Sequence, residues 1–357
     1  MILKNDGGEH LSGTEADSFI NNIKSKVYKW HQFYNNEIFP NEFGFIRYMQ
    51  QFKDNNKPKE LNKTYYDIET FVNEFGDFTD PVEVDRPVNS IALYNNIANE
   101  AYIVCYITEC DEQNHDYIKK EVLNVYKDAC KEKKDYHIKN IKIHVLIMED
   151  EKALIKKFFE LVRSFSTLML IGFNSSTFDD PFMFNRAEKL FGEHNRNNIV
   201  SEFGIVKKYG DKNFEVPDFL MVDILKLYKP VGQGGGGLGK PLPAYKLNDI
   251  CKKELKLTKL DLAGGFRETY LHDIINYLAY NLLDTLLTFK LDQKLSFLEQ
   301  TYELAKYNNA TMGATITGRS FIYSYRNDLM YFKEDKLIRT KKFSKEVLYE
   351  PQIQDFG

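Results

Sequence analysis

The sequence of 357 residues has few of the residues that build disulfide frameworks or zinc sites. It contains four cysteines, with no CxxC pair, and seven histidines that are scattered singly along the chain. Zinc and redox sites usually need such residues at close spacing, so the composition argues against both. It predicts reduced thiols in a cytoplasm-type compartment.

Long apolar runs and a strong excess of one charge are lacking as well. No stretch approaches the ~20 apolar residues of a membrane-spanning helix, and the N-terminus does not resemble a signal peptide. The 48 basic and 52 acidic residues give a net charge of −4. This balance excludes a generally basic nucleic-acid coat, but it allows a local binding groove. We therefore expect a soluble protein that is not secreted and does not associate with a membrane.

The apolar pattern predicts an α/β fold, a mixed sheet with helices on its faces. Three antiparallel strands come first, and the strand at residues 167–174 is expected to be central because it is almost entirely apolar. The predicted strands are 64–71, 87–95, 101–107, 141–148 and 167–174; the predicted helices are 111–134, 150–165 and 181–192; a strand-like segment, 219–228, and a long helical region, 269–305, complete the pattern.

We divide the chain into a small N-terminal element (residues 1–60), a main α/β domain (61–300) and a C-terminal extension (301–357). The first part contains a predicted helix at residues 15–34 and ends in a charged linker. The last part includes the basic stretch 336–345 and looks like the opening of a further region. We therefore expect the sequence to be a piece of a longer protein.

The segment YYDIETF, residues 65–71, carries two acids inside a run of aromatic and β-branched residues that predicts a strand. Side chains two positions apart in a strand point to the same side, so Asp67 and Glu69 project together. Two unpaired anions at this distance raise each other's pKa, which makes a cation their natural partner. An edge strand with one exposed face is the alternative.

Two further segments place acids where the local structure would fix them. In GFNSSTFDD, Asp179 and Asp180 follow an apolar strand at the start of a helix. Capping of the helix by either acid is one interpretation; in the other, Asp180 caps the helix and Asp179 is free to point into a site. In NYLAYNLLDTLL, Tyr280 and Asp284 share one helix face beside a stripe of leucines, where a lone charge is costly. A metal or a buried partner would relieve that cost, and a solvated helix face is the alternative.

In this order, DIET, GFNSSTFDDPFMFNR and YLAYNLLD resemble the three motifs of the proofreading 3′–5′ exonuclease domain of family B DNA polymerases. The resemblance covers about residues 60–300 and implies the ribonuclease H-like fold of the DEDD exonuclease superfamily. It also implies a metal-dependent enzyme that removes nucleotides from DNA 3′ ends. Such an enzyme is expected in the cytoplasm or in a host-cell replication compartment.

The resemblance further implies the site residues and the partners. Two Mg²⁺ or Mn²⁺ ions are the implied cofactors, and such ions prefer oxygen ligands like the carboxylates of these motifs. The implied reaction is hydrolysis of a phosphodiester by a two-metal mechanism. Expected partners are the 3′ end of single-stranded DNA and a polymerase region of the same parent chain. The implied metal ligands are Asp67, Glu69, Asp179 and Asp284; the implied catalytic set adds Tyr280; the implied DNA contacts are Thr70, Asn174 and Phe178.

Other features of the sequence are interpreted more simply. GGGGLGK, residues 234–240, has the spacing of a phosphate-binding loop, but Pro241 stands where Ser or Thr should hold magnesium, which favours a loop bordering the site. Polymerase palm motifs are missing from the chain as given, so we expect degradation and not extension of a 3′ end. A non-catalytic DNA-binding or scaffold module and an RNA-trimming DEDD exonuclease are the alternative functions. A helix surface is the expected place of Lys252, Lys253, Lys256 and Lys259.

Overall fold

The computed structural model describes residues 60–73, 78–229, 242–262, 264–308 and 312–317. The helix expected at residues 15–34, the glycine-rich segment 234–240 and the basic stretch 336–345 lie outside the described residues. The division of the chain at residues 60 and 300 stays a prediction.

A six-stranded mixed sheet forms the centre of the described structure. The strands are β1 Lys63–Thr70, β2 Val88–Asn95, β3 Glu100–Cys105, β4 Lys142–Ile147, β5 Met169–Gly172, β6 Lys207–Tyr209, β7 Asn213–Glu215 and β8 Leu220–Asp223. The order across the sheet is β4-β3-β2-β1-β5-β8, and β6 pairs separately with β7. The β1–β2 and β2–β3 pairs are antiparallel, and the other pairs in the large sheet are parallel. The predicted mixed sheet is confirmed.

The strand β1 lies inside the sheet, which decides between the two explanations of its acids. It pairs with β2 on one side and with β5 on the other, and seven of its eight residues are buried. The edge-strand alternative for Asp67 and Glu69 is therefore wrong. All four residues of β5 are buried, as expected for a central strand covered on both faces.

Helices cover both faces of this sheet. The helices are α1 His115–Glu132, α2 Glu151–Ser164, α3 Asp179–Phe191, α4 Glu193–Val200, α5 Ile224–Tyr228, α6 Leu247–Glu254, α7 Phe266–His272, α8 Ile274–Leu295, α9 Phe297–Asn308 and α10 Met312–Thr317, with a 3-10 turn at Lys134–Tyr136. One buried apolar cluster joins the sheet to α1 and α8, and a second joins its other face to α2 and α3. In the described part of the chain, no helix is long and apolar enough to cross a membrane.

Two predicted segments are divided in the structure because an aspartate caps a helix inside each. Asp223 ends β8 and accepts a hydrogen bond from the Leu225 N–H (3.0 Å), which starts α5 within the apolar run 219–228. Asp273 ends α7 and caps α8 in the same way. The helical region expected at residues 269–305 is therefore α7, α8 and α9 in succession.

Candidate active site

Three carboxylates from β1 and α8 lie together on one face of the sheet. Because side chains alternate along a strand, Asp67 and Glu69 point to the side covered by α8, whereas Tyr66 and Ile68 pack towards α2 and α3. Asp284 of α8 completes the group: one carboxylate oxygen of each acid lies within 4.8 Å of the other two. Glu69 and Asp284 are buried, and Asp67 is half-buried.

Polar side chains at one-turn spacing fix the rotation of α8 against the sheet. Tyr277, Asn281 and Thr285 each donate a hydrogen bond to β1 or β2, with lengths between 2.9 and 3.3 Å. Tyr280 and Asp284 form the neighbouring stripe of the helix. The rotation that satisfies the first three side chains therefore directs the other two towards the acids of β1.

Lys259 also reaches this group of side chains. Its Nζ donates to the Tyr280 hydroxyl at 2.8 Å and forms an ion pair with Asp284 Oδ2. Its backbone N–H donates to Asn248 Oδ1 of α6 at 3.0 Å, which fixes the connecting loop. Because α6 ends at Glu254, the expectation that Lys256 and Lys259 lie on a helix surface is wrong. Nothing in the local sequence distinguishes Lys259 from its neighbours, so the pattern could not reveal it.

Asp179 and Asp180 start α3, but neither caps it. Phe178 occupies the capping position, and its side chain makes no capping hydrogen bond, so the predicted cap is wrong. Asp180 instead accepts a hydrogen bond from the Tyr66 hydroxyl on the far face of β1. Asp179 Oδ1 accepts from the Ile68 N–H at 3.3 Å, which places it beside the backbone between the two acids of β1. Asp179 lies next to the three-acid group but outside its 4.8 Å limit.

The expected DNA contacts lie at the end of β1 and in the β5–α3 loop. Thr70 follows Glu69 at the end of β1, and its buried hydroxyl has no hydrogen-bond partner among the described residues. Asn174 lies in the β5–α3 loop with a left-handed backbone (φ +62°). Phe178, at the end of the same loop, stacks on Phe182 with ring centroids 5.6 Å apart.

Asp223 holds the β5–α3 loop in place, a role that no pattern in the sequence indicates. Its carboxylate accepts hydrogen bonds from the Asn174 N–H (2.9 Å) and the Ser176 hydroxyl (2.6 Å). Gly172 lets the loop turn back closely: a Cβ there would lie 2.4 Å from that of Ser175. The aspartate thus links the end of β8 to the loop that carries two of the expected DNA contacts.

Comparison with known proteins connects this geometry to a family. The sequence model of the exonuclease domain of family B DNA polymerases matches residues 22–250. The chain belongs to this family. The match ends before α8, so the meeting of Asp284 with Asp67 and Glu69 is an observation independent of the match.

Similar proteins agree with the family assignment of this exonuclease domain. The chain is 21% identical over 257 residues to a DNA-directed DNA polymerase of Escherichia phage RB69 and 21% identical over 252 residues to that of Enterobacteria phage T4. It is 24% identical over 236 residues to DNA polymerase 1 of Sulfolobus acidocaldarius. These alignments cover 64–65% of the chain but only 22–25% of the relatives, so the chain spans about a quarter of their length.

The electrostatics of the exonuclease domain favour a positive charge among the acids. Burial and mutual repulsion raise the pKa of Asp67 to about 7, and they raise those of Glu69 and Asp179 well above their usual range. Burial also raises the pKa of Asp284, although Lys259 opposes this effect. Burial alone would lower the pKa of Lys259, but the surrounding acids, Asp284 first, raise it. One ammonium therefore balances only part of the negative charge.

The side chains of this group fit a hard divalent cation. Every potential ligand atom is a carboxylate oxygen, the type that Mg²⁺ and Mn²⁺ prefer. Asp284 Oδ1 is buried and has no hydrogen-bond partner among the described residues. Because an unpaired buried oxygen is costly, a cation at this point would stabilise the folded protein.

A row of aromatic rings leads from these acids to the surface. The ring of Phe266 lies edge-on to Tyr280 at 5.6 Å, and Phe78 lies edge-on to Phe266 at 5.4 Å. Phe78 is about half exposed, at 53%. The row offers flat apolar surface beside the carboxylates, and the sequence pattern did not predict it because its three members come from separate segments.

Proposed function

We propose that the chain is a metal-dependent 3′–5′ exonuclease that removes nucleotides from DNA 3′ ends, as the proofreading part of a DNA polymerase. The observation that carries the proposal is the group of Asp67, Glu69 and Asp284 within 4.8 Å. Family membership supports the reaction class, and the names of the similar proteins support DNA as the substrate. The proposal includes a polymerase region of the same parent chain as partner.

In this proposal the three grouped acids and Asp179 would hold two Mg²⁺ or Mn²⁺ ions. When bound, such ions would lower the pKa of the attacking water and stabilise charge on the water oxygen and on the leaving 3′ oxygen of the phosphodiester. Glu69 and Tyr280 orient the water for in-line attack on phosphorus. The bond to the 3′ oxygen then breaks, which releases a nucleoside monophosphate. Lys259 holds the Tyr280 oxygen in place through its 2.8 Å hydrogen bond.

Single-stranded DNA would reach the acids along the β5–α3 loop and the aromatic row. Thr70, Asn174 and Phe178 are the proposed contacts, and Phe178 can stack on a terminal base. Exposed Phe78 provides a second stacking surface on the approach. Base stacking tolerates any sequence, which a proofreading site requires. The strand would therefore be held by shape and stacking and not by recognition of particular bases.

A labelled single strand tests the proposal directly. With Mg²⁺ or Mn²⁺, the strand should shorten from its 3′ end, and EDTA should stop the reaction. Asp67→Ala combined with Glu69→Ala should stop it as well. Asp128→Ala combined with Glu132→Ala, which removes the same charge from the exposed surface of α1, should leave the rate unchanged.

The same assay distinguishes the alternative functions. Release of nucleotides from the 5′ end, or an unchanged rate in the Asp67/Glu69 double variant, would refute the assignment. A non-catalytic scaffold predicts no Mn²⁺ binding by calorimetry, because it has no need of a cation at the acids. DNA and RNA strands of one sequence, compared side by side, test for an RNA-trimming enzyme, in which the 2′-hydroxyl should favour cleavage.

A further inference from the structure

We propose that Asn281 is a positioning residue that holds the carboxylate of Asp67 in the orientation needed for metal binding, and that Ser90 fixes Asn281 in turn. The inference rests on the proposed function, since it concerns the same group of acids. Asn281 and Ser90 have no exposed surface, and they join α8 to β2 beside the acids of β1. Neither residue belongs to the set implied by the sequence.

The hydrogen bonds define which way the Asn281 amide points. The backbone oxygen of Asp67 only accepts hydrogen bonds, as its carboxylate does when ionised, so the group facing Asp67 is the NH₂. Asn281 Nδ2 lies 2.9 Å from Asp67 Oδ2 and 3.3 Å from the Asp67 backbone oxygen, so both amide hydrogens have acceptors. The amide oxygen then faces Ser90, whose hydroxyl donates to it at 2.8 Å. A reversed amide would lose both bonds to Asp67, and only the contact with the Ser90 hydroxyl, which can also accept, would remain.

This arrangement opposes the repulsion within the group of acids. Asp67 faces Glu69 and Asp284, and free rotation of its side chain would carry the charge away from both. The bond from Asn281 holds one oxygen, which leaves the other to face a cation. Because Asn281 is one turn from Asp284 on the same helix, a single element supplies one ligand and fixes another. Partners that hold a metal-binding side chain typically change metal affinity about 10–100-fold when removed.

Calorimetric titration of the EDTA-treated chain with Mn²⁺ tests the inference without measuring catalysis. Asn281→Leu, which keeps the size of the side chain but removes the donor, should weaken Mn²⁺ binding about 10–100-fold. Ser90→Ala removes only the bond that fixes the amide, so a loss of about 2–10-fold is expected. If Asn281→Leu does not fold, the Mn²⁺ affinity of Ser90→Ala tests the positioning role instead.

Tyr65→Phe is the matched control. It removes a buried hydrogen bond of 2.6 Å between the same helix, α8, and the strand that carries Asp67, β1, but this bond goes to Asp292 and not to Asp67. Mn²⁺ affinity should stay within twofold of the unchanged protein. In activity assays, Asn281→Leu should raise the Mg²⁺ concentration needed for half-maximal rate and leave the KM for DNA unchanged, and Tyr65→Phe should change neither.

The outcomes separate this inference from the proposed function. If Asp67→Ala abolishes Mn²⁺ binding while Asn281→Leu and Ser90→Ala bind like the unchanged protein, the positioning role is overturned and the nuclease proposal stands. If Tyr65→Phe weakens binding as much as Asn281→Leu does, the effect is general loss of structure, and the inference is again overturned. If the unchanged protein binds no Mn²⁺, both proposals are overturned.

Discussion

Replacing Glu69 with glutamine should stabilise the metal-free protein and abolish the proposed metal-dependent nuclease activity. The carboxylate is 6% exposed and lies within 4.8 Å of those of Asp67 and Asp284. A glutamine has nearly the same shape but no charge. The substitution therefore removes repulsion that the folded protein bears and the unfolded chain does not.

The size of the effect follows from the geometry. With an effective dielectric constant of about 20, two unit charges 4.8 Å apart repel by about 3.5 kcal/mol. The folded protein can avoid this repulsion by keeping Glu69 protonated. Keeping the proton costs about 1.4 kcal/mol for each pH unit above the ordinary pKa of 4.5, so the destabilisation by Glu69 cannot exceed about 5 kcal/mol at pH 8. The amide must still be buried, so we expect a gain of about 2–4 kcal/mol, or roughly 4–8 °C in Tm.

The pH dependence provides the sign of the effect. Because burial and neighbouring acids raise the pKa of Glu69, its protonated form stabilises the fold at low pH, and this stabilisation is lost as the pH rises above about 4.5. Thermal unfolding in EDTA should therefore give similar Tm values for Glu69→Gln and the unchanged protein at pH 5. At pH 8 the variant should melt at the higher temperature. A variant that melts at or below the unchanged protein at pH 8 would refute the reasoning.

A second buried glutamate serves as the control of opposite sign. Glu151 accepts two hydrogen bonds from the Arg186 guanidinium, at 2.8 and 2.7 Å, and one from the Val88 N–H at 2.9 Å. Glu151→Gln breaks this buried ion pair and should destabilise the protein by about 3–5 kcal/mol. Glu69→Gln and Glu151→Gln make the same chemical change. Opposite shifts in Tm would therefore show that the charges around each glutamate determine the direction of the change in stability.

Two other substitutions test the surroundings of the acids. Lys259→Met should destabilise the metal-free protein by about 2–3 kcal/mol at pH 8, which is less than for a fully buried ion pair because the lysine side chain is 26% exposed. Saturating Mn²⁺ should restore most of the lost stability. An equal loss of stability with Mn²⁺ and with EDTA would contradict this prediction. Asp223→Asn weakens the bonds that hold the β5–α3 loop, so the KM for single-stranded DNA should rise several-fold while Mn²⁺ affinity, measured by calorimetry, stays unchanged. An equal fall in Mn²⁺ affinity would show that Asp223 acts on the metal ligands instead.

The parts of the fold that follow from periodic patterns could be predicted from the sequence. The period of two in YYDIETF places Asp67 and Glu69 on one side of β1, and the apolar run at β5 indicates a strand covered on both faces. Periodicity says nothing about where one element lies in a sheet. That β1 is an interior strand, and that the acids are therefore buried, required the pairing with β2 and β5.

Single polar residues were the part of the site that the sequence could not reveal. Lys259, Asp223 and Asn281 lie in no repeating pattern, and each acts through a partner distant in the sequence. The wrong prediction of a helix cap at the start of α3 has a different cause. Asp180 has the residue type and position of a capping residue, but its carboxylate is used elsewhere. The Tyr66 hydroxyl of β1 competes for that carboxylate, and this competition depends on tertiary packing that local rules do not include.

The charge balance of the acids links stability to the proposed chemistry. Asp67, Glu69, Asp179 and Asp284 are brought together by β1, α3 and α8, whereas Lys259 supplies one positive charge. Protons neutralise the remaining negative charge at low pH, and in the proposed function divalent cations would neutralise it at higher pH. Under that proposal, protons and metal compete for the same oxygens. It follows that the metal-free protein should be most stable in the pH range where it binds metal least, a conflict expected where residues are arranged for function and not for stability.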